Sequence, residues 1–195
     1  MGWVERLKDH PEESSQLASE MDTDVLRLQE INERFSRMGS VPKMEKVEIK
    51  TVLEDLKSYF QRRLPSSAEN VILRVKSEDA IVTTSATLLT WVLENLIKNA
   101  IDSIDKESGE VTLRSEIMDM EVSITVNDNG KGIVRRDWKN VFRPGYTTKE
   151  RGWGVGLSMV QRIVEDFLEG SIQIKSSEIE KGTSIEVRLP HASRL

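Results

Sequence analysis

The 195-residue chain contains no cysteine. Disulfides and thiolate metal sites are therefore excluded, and with only His10 and His191 in the whole sequence a catalytic zinc is not expected. Long apolar runs are missing too: none approaches the ~18 residues that a membrane-spanning helix needs, and no signal-peptide pattern opens the chain. "MGWVERL" lacks the serine or threonine of a myristoylation signal, so the chain is expected to be soluble and cytoplasmic, with no membrane contact of its own. Positive charge is not in excess. The net charge of -5 gives no reason to expect nucleic acid as a partner.

What is present divides into two unequal parts. A chain of this length that is 37% hydrophobic can bury one good core with a smaller appendage. Between Pro11 and Met38, the residues Leu17, Met21, Val25, Leu28, Ile31, Phe35 and Met38 recur at spacings of three and four, which is a heptad seam. One such helix cannot cover its own stripe. It is expected to pack on another helix of this chain or of a second copy. "MGWVERLKD", with Trp3, Val4 and Leu7 on one side, reads as the stub of a partner helix, and "HPEES" as the turn between the two. "GSVPK", residues 39–43, ends the long helix, so the chain is expected to divide into 1–41, a linker at 42–46, and a main domain at 47–195.

In the main domain the period alternates between two and 3.6. Val47 and Ile49 suggest a short strand, and Val52, Leu53, Leu56 and Phe60 an amphipathic helix that stops before Pro65. Val71, Leu73 and Val75 alternate as a strand; Ile81 and Val82 suggest a brief second pairing, and Ser85 is placed to cap the next helix. Four further runs of period two fall at Val111 and Leu113, at Val122, Ile124 and Val126, at Ile172 and Ile174, and at Ile185, Val187 and Leu189. One more helix carries Leu157, Val160, Ile163, Val164 and Phe167. The fold class is therefore α+β. The expected architecture is a two-layer sandwich, a mixed and mostly antiparallel sheet covered on one face by three helices, preceded by the long helix of a dimeric helical hairpin.

Three stretches of this domain carry chemistry. "WVLENLIKNAIDSID", residues 91–105, reads as an interior helix, yet Asn95, Asn99 and Asp102 share one stripe of it. Such polar groups are either satisfied by their own fold or aimed at a ligand. "DNGKGI" puts Asp128 just past a strand end, followed by Gly130 and Gly132; the glycines permit close approach of a ligand or simply a left-handed turn. A carboxylate there accepts only, and can receive an exocyclic amine such as that of adenine. "RGWGVGLSMV" puts Gly152, Gly154 and Gly156 at the mouth of a helix, where backbone N–H groups suit phosphate, although the spacing is not the Walker pattern. Between the last two lies a loop of roughly thirty residues, long enough to be a functional lid. From Lys131 to Arg151 it holds seven basic residues against Asp137 and Glu150.

Taken in order, Asn95 and Asn99, Asp128 to Gly132, Phe142, and Gly152 to Gly156 resemble the N, G1, F and G2 boxes of the catalytic and ATP-binding domain of sensor histidine kinases, within the gyrase, heat-shock chaperone, histidine kinase and mismatch-repair ATPase superfamily. "GTSIEVRLP", residues 182–190, resembles the family's closing strand, and the seam helix resembles the second helix of its dimerisation and phosphotransfer hairpin. The resemblance implies ATP and Mg2+ as cofactors, with Asn99 offering its oxygen to the metal. Asn95 would lie near the phosphates. Asp128 would accept from the adenine amine, Gly130 and Gly132 would let the base lie close, and Thr183 would add a bond through water. Thr148 and Lys149 of "TTK" and Arg151 would face the terminal phosphates, which Gly152, Gly154, Val155, Gly156 and Leu157 would wrap. Catalytic roles would fall to Asn95 and Lys149, since phosphoryl transfer asks chiefly for positioning and charge neutralisation.

The resemblance also implies partners: a second copy through the hairpin and, in the full-length protein, a response regulator receiver domain. Three points bear on the activity. In hydrolysing members of the superfamily a glutamate stands one turn before the metal asparagine; Asn95 has no basicity to lend, and Glu94 is rotated ~100° away, so slow hydrolysis is expected. Asp102 stands where many histidine kinases have a basic residue. The phosphoacceptor box is not present either, because His10 is followed at once by Pro11 and Glu12 and falls in the turn; His10 and His191 are both expected to be inert. The expected activity is thus transfer of the γ-phosphate to a histidine supplied on a separate hairpin. Two other readings stay open: a serine kinase of the anti-sigma-factor type, against which the heptad helix and linker argue, and a non-catalytic, nucleotide-gated interaction module.

Overall fold

The computed structural model describes residues 42–64, 68, 70–105, 107–149 and 153–191. The expected seam helix and hairpin turn, with His10, Arg151 and Gly152, lie outside them. Strand β1 (Glu45–Glu48) leads directly into helix α1 (Ile49–Gln61). Ile49, expected in that strand, instead opens the helix, because Ile49, Leu53 and Leu56 fall at helical spacing and all three are buried. Its amide is held by the carbonyl of Ala80 at 3.0 Å.

Strands β2 (Val71–Ser77) and β3 (Ile81–Thr84) follow, then helix α2 (Ala86–Asp102), whose first turn is capped by the Ser85 hydroxyl as expected. Strands β4 (Gly109–Ile117) and β5 (Glu121–Asp128) form a hairpin. Helix α3 (Gly156–Arg162) widens into a π-helical turn at Ile163–Phe167 before the closing hairpin of β6 (Ser171–Glu178) and β7 (Gly182–Pro190). The main sheet has the order β2-β4-β5-β7-β6, and β1 pairs with β3 in a separate two-stranded ribbon. Among the described residues only β2 and β4 run parallel; the intervening β3 and α2 form their crossover, as a parallel connection requires. This is the mixed, mostly antiparallel sheet with helices that the residue pattern implied.

Register puts one apolar row across the sheet: Val75, Leu113, Val126, Ile185 and Ile174 are successive partners. Against this face α2 buries Leu89, Val92, Leu93, Leu96 and Ile97, so it is covered by sheet and neighbouring helices over most of its length. Truncating one such leucine to alanine costs about 2–5 kcal/mol. Because side chains alternate along β5, Asp128 shares the face of Val122, Ile124 and Val126, but it is the final residue of the strand rather than beyond it. The helix layer ends where Asp128 begins. No helix of the described residues is long and apolar enough to cross a membrane.

The other face of the sheet carries Ser123, Gln173, Lys175, Glu186 and Arg188. Glu186 is only 1% exposed. Burial alone would raise its pKa, but bonds from Gln173 and Ser123 (both 2.8 Å), Lys175 (3.1 Å) and Arg188 (3.0 Å) outweigh that and hold it down to about 2, below its ordinary 4.5. A depressed folded-state pKa stabilises fully above the unfolded value and is lost as pH falls from about 4.5 through about 2. Glu186→Gln is expected to cost about 1–3 kcal/mol at pH 7 in urea unfolding, and to flatten the pH dependence of stability across that acid range.

Candidate functional site

The polar stripe of α2 points away from the sheet toward the loop that joins β5 to α3. Asn95 spends its amide nitrogen on its own helix, donating to the Trp91 carbonyl at 2.9 Å. Its oxygen faces α3 instead, 3.6 Å from where a Cβ on Gly156 would stand. One turn on, Asn99 Oδ1 accepts from Lys149 Nζ at 3.2 Å, and Asp102 Oδ2 lies 2.7 Å from the same nitrogen. A cation from the loop thus sits between the second amide and the carboxylate of the stripe. Lys149 and Asp102 are both about 40% exposed, so this pair is worth no more than about 1 kcal/mol.

The described part of the loop is held at several points. Ser177 Oγ accepts from the Ile133 amide at 2.7 Å, and Trp138 Nε1 donates to the Ile133 carbonyl at 3.1 Å, with the Arg135 guanidinium 3.9 Å over the indole. Short 3-10 turns at Arg135–Asp137 and Asn140–Phe142 follow, the second packed on α3. Val141 is the buried residue of that turn, while Phe142 is half-buried. The Gly145 amide donates to the Gly154 carbonyl at 3.0 Å, so the loop returns on itself before α3. Thr148 is exposed, and Thr147 Oγ1 accepts from the Lys149 amide at 3.1 Å.

At the end of β5, one carboxylate oxygen gathers three donors. Asp128 Oδ1 accepts from Gly130 N at 2.9 Å, from Thr183 N at 3.2 Å, and lies 3.1 Å from Ser103 Oγ. Thr183 is itself buried, its hydroxyl 2.9 Å from Ser177 Oγ. Ser103, just past the last turn of α2, was not singled out from the sequence; a serine after a helix end resembles any other cap.

The glycines separate into two kinds. Gly132 has φ +73, and a Cβ on it would run into the Glu178 carbonyl. Gly182 has φ +110, with the Asp128 carbonyl where its Cβ would be; Gly154 has φ +66 against Gly145 and Tyr146; and Gly130 is closed off by Ser103. Packing of the chain on itself accounts for all four. Gly156 is different: among the described residues a Cβ there would meet only the Asn95 oxygen, at ordinary contact distance, and its backbone is helical. Among the described residues, none fills the space beside Gly156, where Val155 and Leu157 are half-buried.

Among the described residues there is no cluster of three or more His, Cys, Asp or Glu that could hold a metal. Any divalent ion here would depend on Asn99, water and the oxygens of a ligand, a donor set that suits Mg2+. That Asn99 and Asp102 already receive an ammonium group fits a place built for positive charge.

The family described as histidine kinase-, DNA gyrase B-, and HSP90-like ATPase matches residues 84–193. Among curated relatives, sporulation kinase D of Bacillus subtilis is 30% identical over 97% of this chain and 38% of its own length. The chain thus spans well under half of that relative. Among solved structures, the nucleotide-free catalytic domain of the histidine kinase ThkA superposes with a TM-score of 0.67 and 26% identity, over 76% of this chain and 96% of that one. ThkA in complex with its response regulator protein gives a TM-score of 0.73 at 23% identity, over 98% of this chain and 56% of that one, a likeness of fold alone.

Gly132→Ala and Gly182→Ala are each expected to destabilise the fold by about 1–3 kcal/mol, whereas Gly156→Ala should unfold at the same temperature as the parent or higher. Thermal melts of the three variants check this directly.

Proposed function

The chain belongs to the histidine kinase-, DNA gyrase B-, and HSP90-like ATPase family, and we propose that it is the ATP-binding kinase portion of a sensor histidine kinase, transferring the γ-phosphate of Mg-ATP to a histidine on a helical hairpin. The observation that carries this reading is the cation seat on α2. Asn99 and Asp102 draw Lys149 across from the loop, so one spot is chemically suited both to a metal and to the charge that terminal phosphates need.

Asp128 reads the base by accepting its exocyclic amine, and the buried Thr183 beside it supports that edge of the site. Gly156 and the preceding Val155 leave space for phosphates next to the Asn95 oxygen. Asn99 would hold Mg2+ through Oδ1, and the bound ion supplies neutralisation of phosphate charge. Lys149 supplies a second positive charge. If Asn99 held the ion, Lys149, now shared by Asn99 and Asp102, would be available to neutralise the terminal phosphates. An exposed pair of this strength yields readily to a multiply charged ligand. Asn95, an amide with its nitrogen already committed, activates no water, which favours transfer to another acceptor over hydrolysis.

In the cell this portion works in the cytoplasm as part of a homodimer formed through the hairpin, and passes phosphate to a response regulator receiver domain. The response regulator bound by ThkA, a protein of the same fold, supports that kind of partner.

Asn99→Ala is expected to abolish the magnesium-dependent part of ATP binding in calorimetry while the melting temperature stays within a few degrees; unchanged affinity would remove the metal assignment. Gly156→Ala should keep the fold and weaken ATP binding. Incubated with γ-labelled ATP and a separate hairpin bearing its histidine, the chain should produce an acid-labile phosphorylated hairpin. An acid-stable product on a serine-bearing partner would point to the serine-kinase branch instead, and binding without any transfer to a nucleotide-gated module.

A further inference from the structure

We infer that Ser103 is the positioning residue for the base-reading carboxylate, and that it sets how strongly this site prefers a purine bearing an exocyclic amine over one bearing a carbonyl there; this rests on the nucleotide reading above. Ser103 Oγ lies 3.1 Å from Asp128 Oδ1 and 2.8 Å from the Ala100 carbonyl. A hydroxyl has one proton to give. If it went only to Ala100, a lone pair of the hydroxyl would face an ionised carboxylate oxygen, so the charge-assisted bond to Asp128 takes it for at least part of the time.

The two other donors on the same oxygen, Gly130 N and Thr183 N, come from the end of β5 and the start of β7. Ser103 brings the end of α2 into the cluster by its side chain. The Ser103 carbonyl also accepts from Lys131 N at 3.0 Å, and the absence of a side chain on Gly130 is what makes room for the serine hydroxyl. The terminal torsion of an aspartate is otherwise broad. Donors converging on one oxygen from three elements fix the carboxylate plane, and with it the direction in which the second oxygen meets the base. An acceptor held in a fixed direction rewards an amine and repels a carbonyl, which is how a polar site discriminates far more strongly than an apolar one. Asp102, which seats Lys149, is the residue next to Ser103, so the last turn of α2 serves the base through one residue and the lid cation through the other.

The test compares ATP with inosine triphosphate, in which the amine is replaced by a carbonyl, by calorimetry with magnesium on the full chain. The parent should prefer ATP. Ser103→Ala should lose about fivefold or more in ATP affinity with inosine triphosphate within about twofold, and Ser103→Thr, which keeps the hydroxyl, should retain the preference. Equal loss of both nucleotides, or an ATP preference unchanged in Ser103→Ala, would overturn the proposal and leave Ser103 as a helix cap. A parent chain that bound neither nucleotide would instead sink the nucleotide reading on which the proposal stands. Melting curves for both variants confirm that folded protein is compared.

Discussion

One carboxylate oxygen at the end of β5 is the point on which the site turns. Asp128 Oδ1 draws donors from the turn that follows its strand, from β7 and from the end of α2, segments separated by up to 80 residues of sequence between Ser103 and Thr183. The sheet register makes this meeting possible, because it is the same alternation that buries Val122, Ile124 and Val126 that turns Asp128 toward the helix layer. Where the apolar contacts between α2 and the sheet run out, hydrogen bonds to a charge take over the task of holding the helix end. An acceptor with a formal charge makes stronger bonds than a neutral one, so Asp128 fixes the local geometry.

The glycines around this point show how a motif can serve the protein before it serves a ligand. Gly130 and Gly132 follow Asp128 and invite the reading that a ligand needs the space. In the folded chain the space is taken by Ser103 and by the Glu178 carbonyl. The chain packs backbone against backbone there, and any Cβ would be driven into a neighbour. Gly156 is the member of the set that its own surroundings do not require to be glycine, which makes it the informative one for phosphate binding. Close packing of the loop's base and the open ground before α3 are thus complementary: the first holds the second in place.

Charge is arranged on two scales. On the outer face of the sheet, Glu186 is buried with four donors and belongs to the fold. On α2, Asn99, Asp102 and Lys149 are half-exposed and weakly bound, so they can be rearranged. The difference follows from solvent: a charge removed from water must keep its partners, while one that water still reaches can exchange them at little cost.

Much of the fold was legible in the sequence. Period-two runs marked strands and i, i+3, i+4 runs marked helices, and both patterns depend only on neighbours along the chain, as do the asparagine stripe of α2 and the order of the glycine-rich segments. The same locality explains the errors. Val47 and Ile49 alternate like a strand, but Ile49 also stands four before Leu53, and only the packing of α1 chose the helical pattern. Glu186 lies on the outward face of its strand, and Gln173, Lys175 and Arg188 close over it from its own strand and the next, which no local pattern reveals. By itself the sequence determined which residues form the elements and which polar groups break their apolar faces. Tertiary structure decided the parallel pairing of β2 with β4, the reach of Lys149 to α2, and the meeting of Ser103 with Asp128, because each joins residues far apart in the chain that no local pattern can bring together.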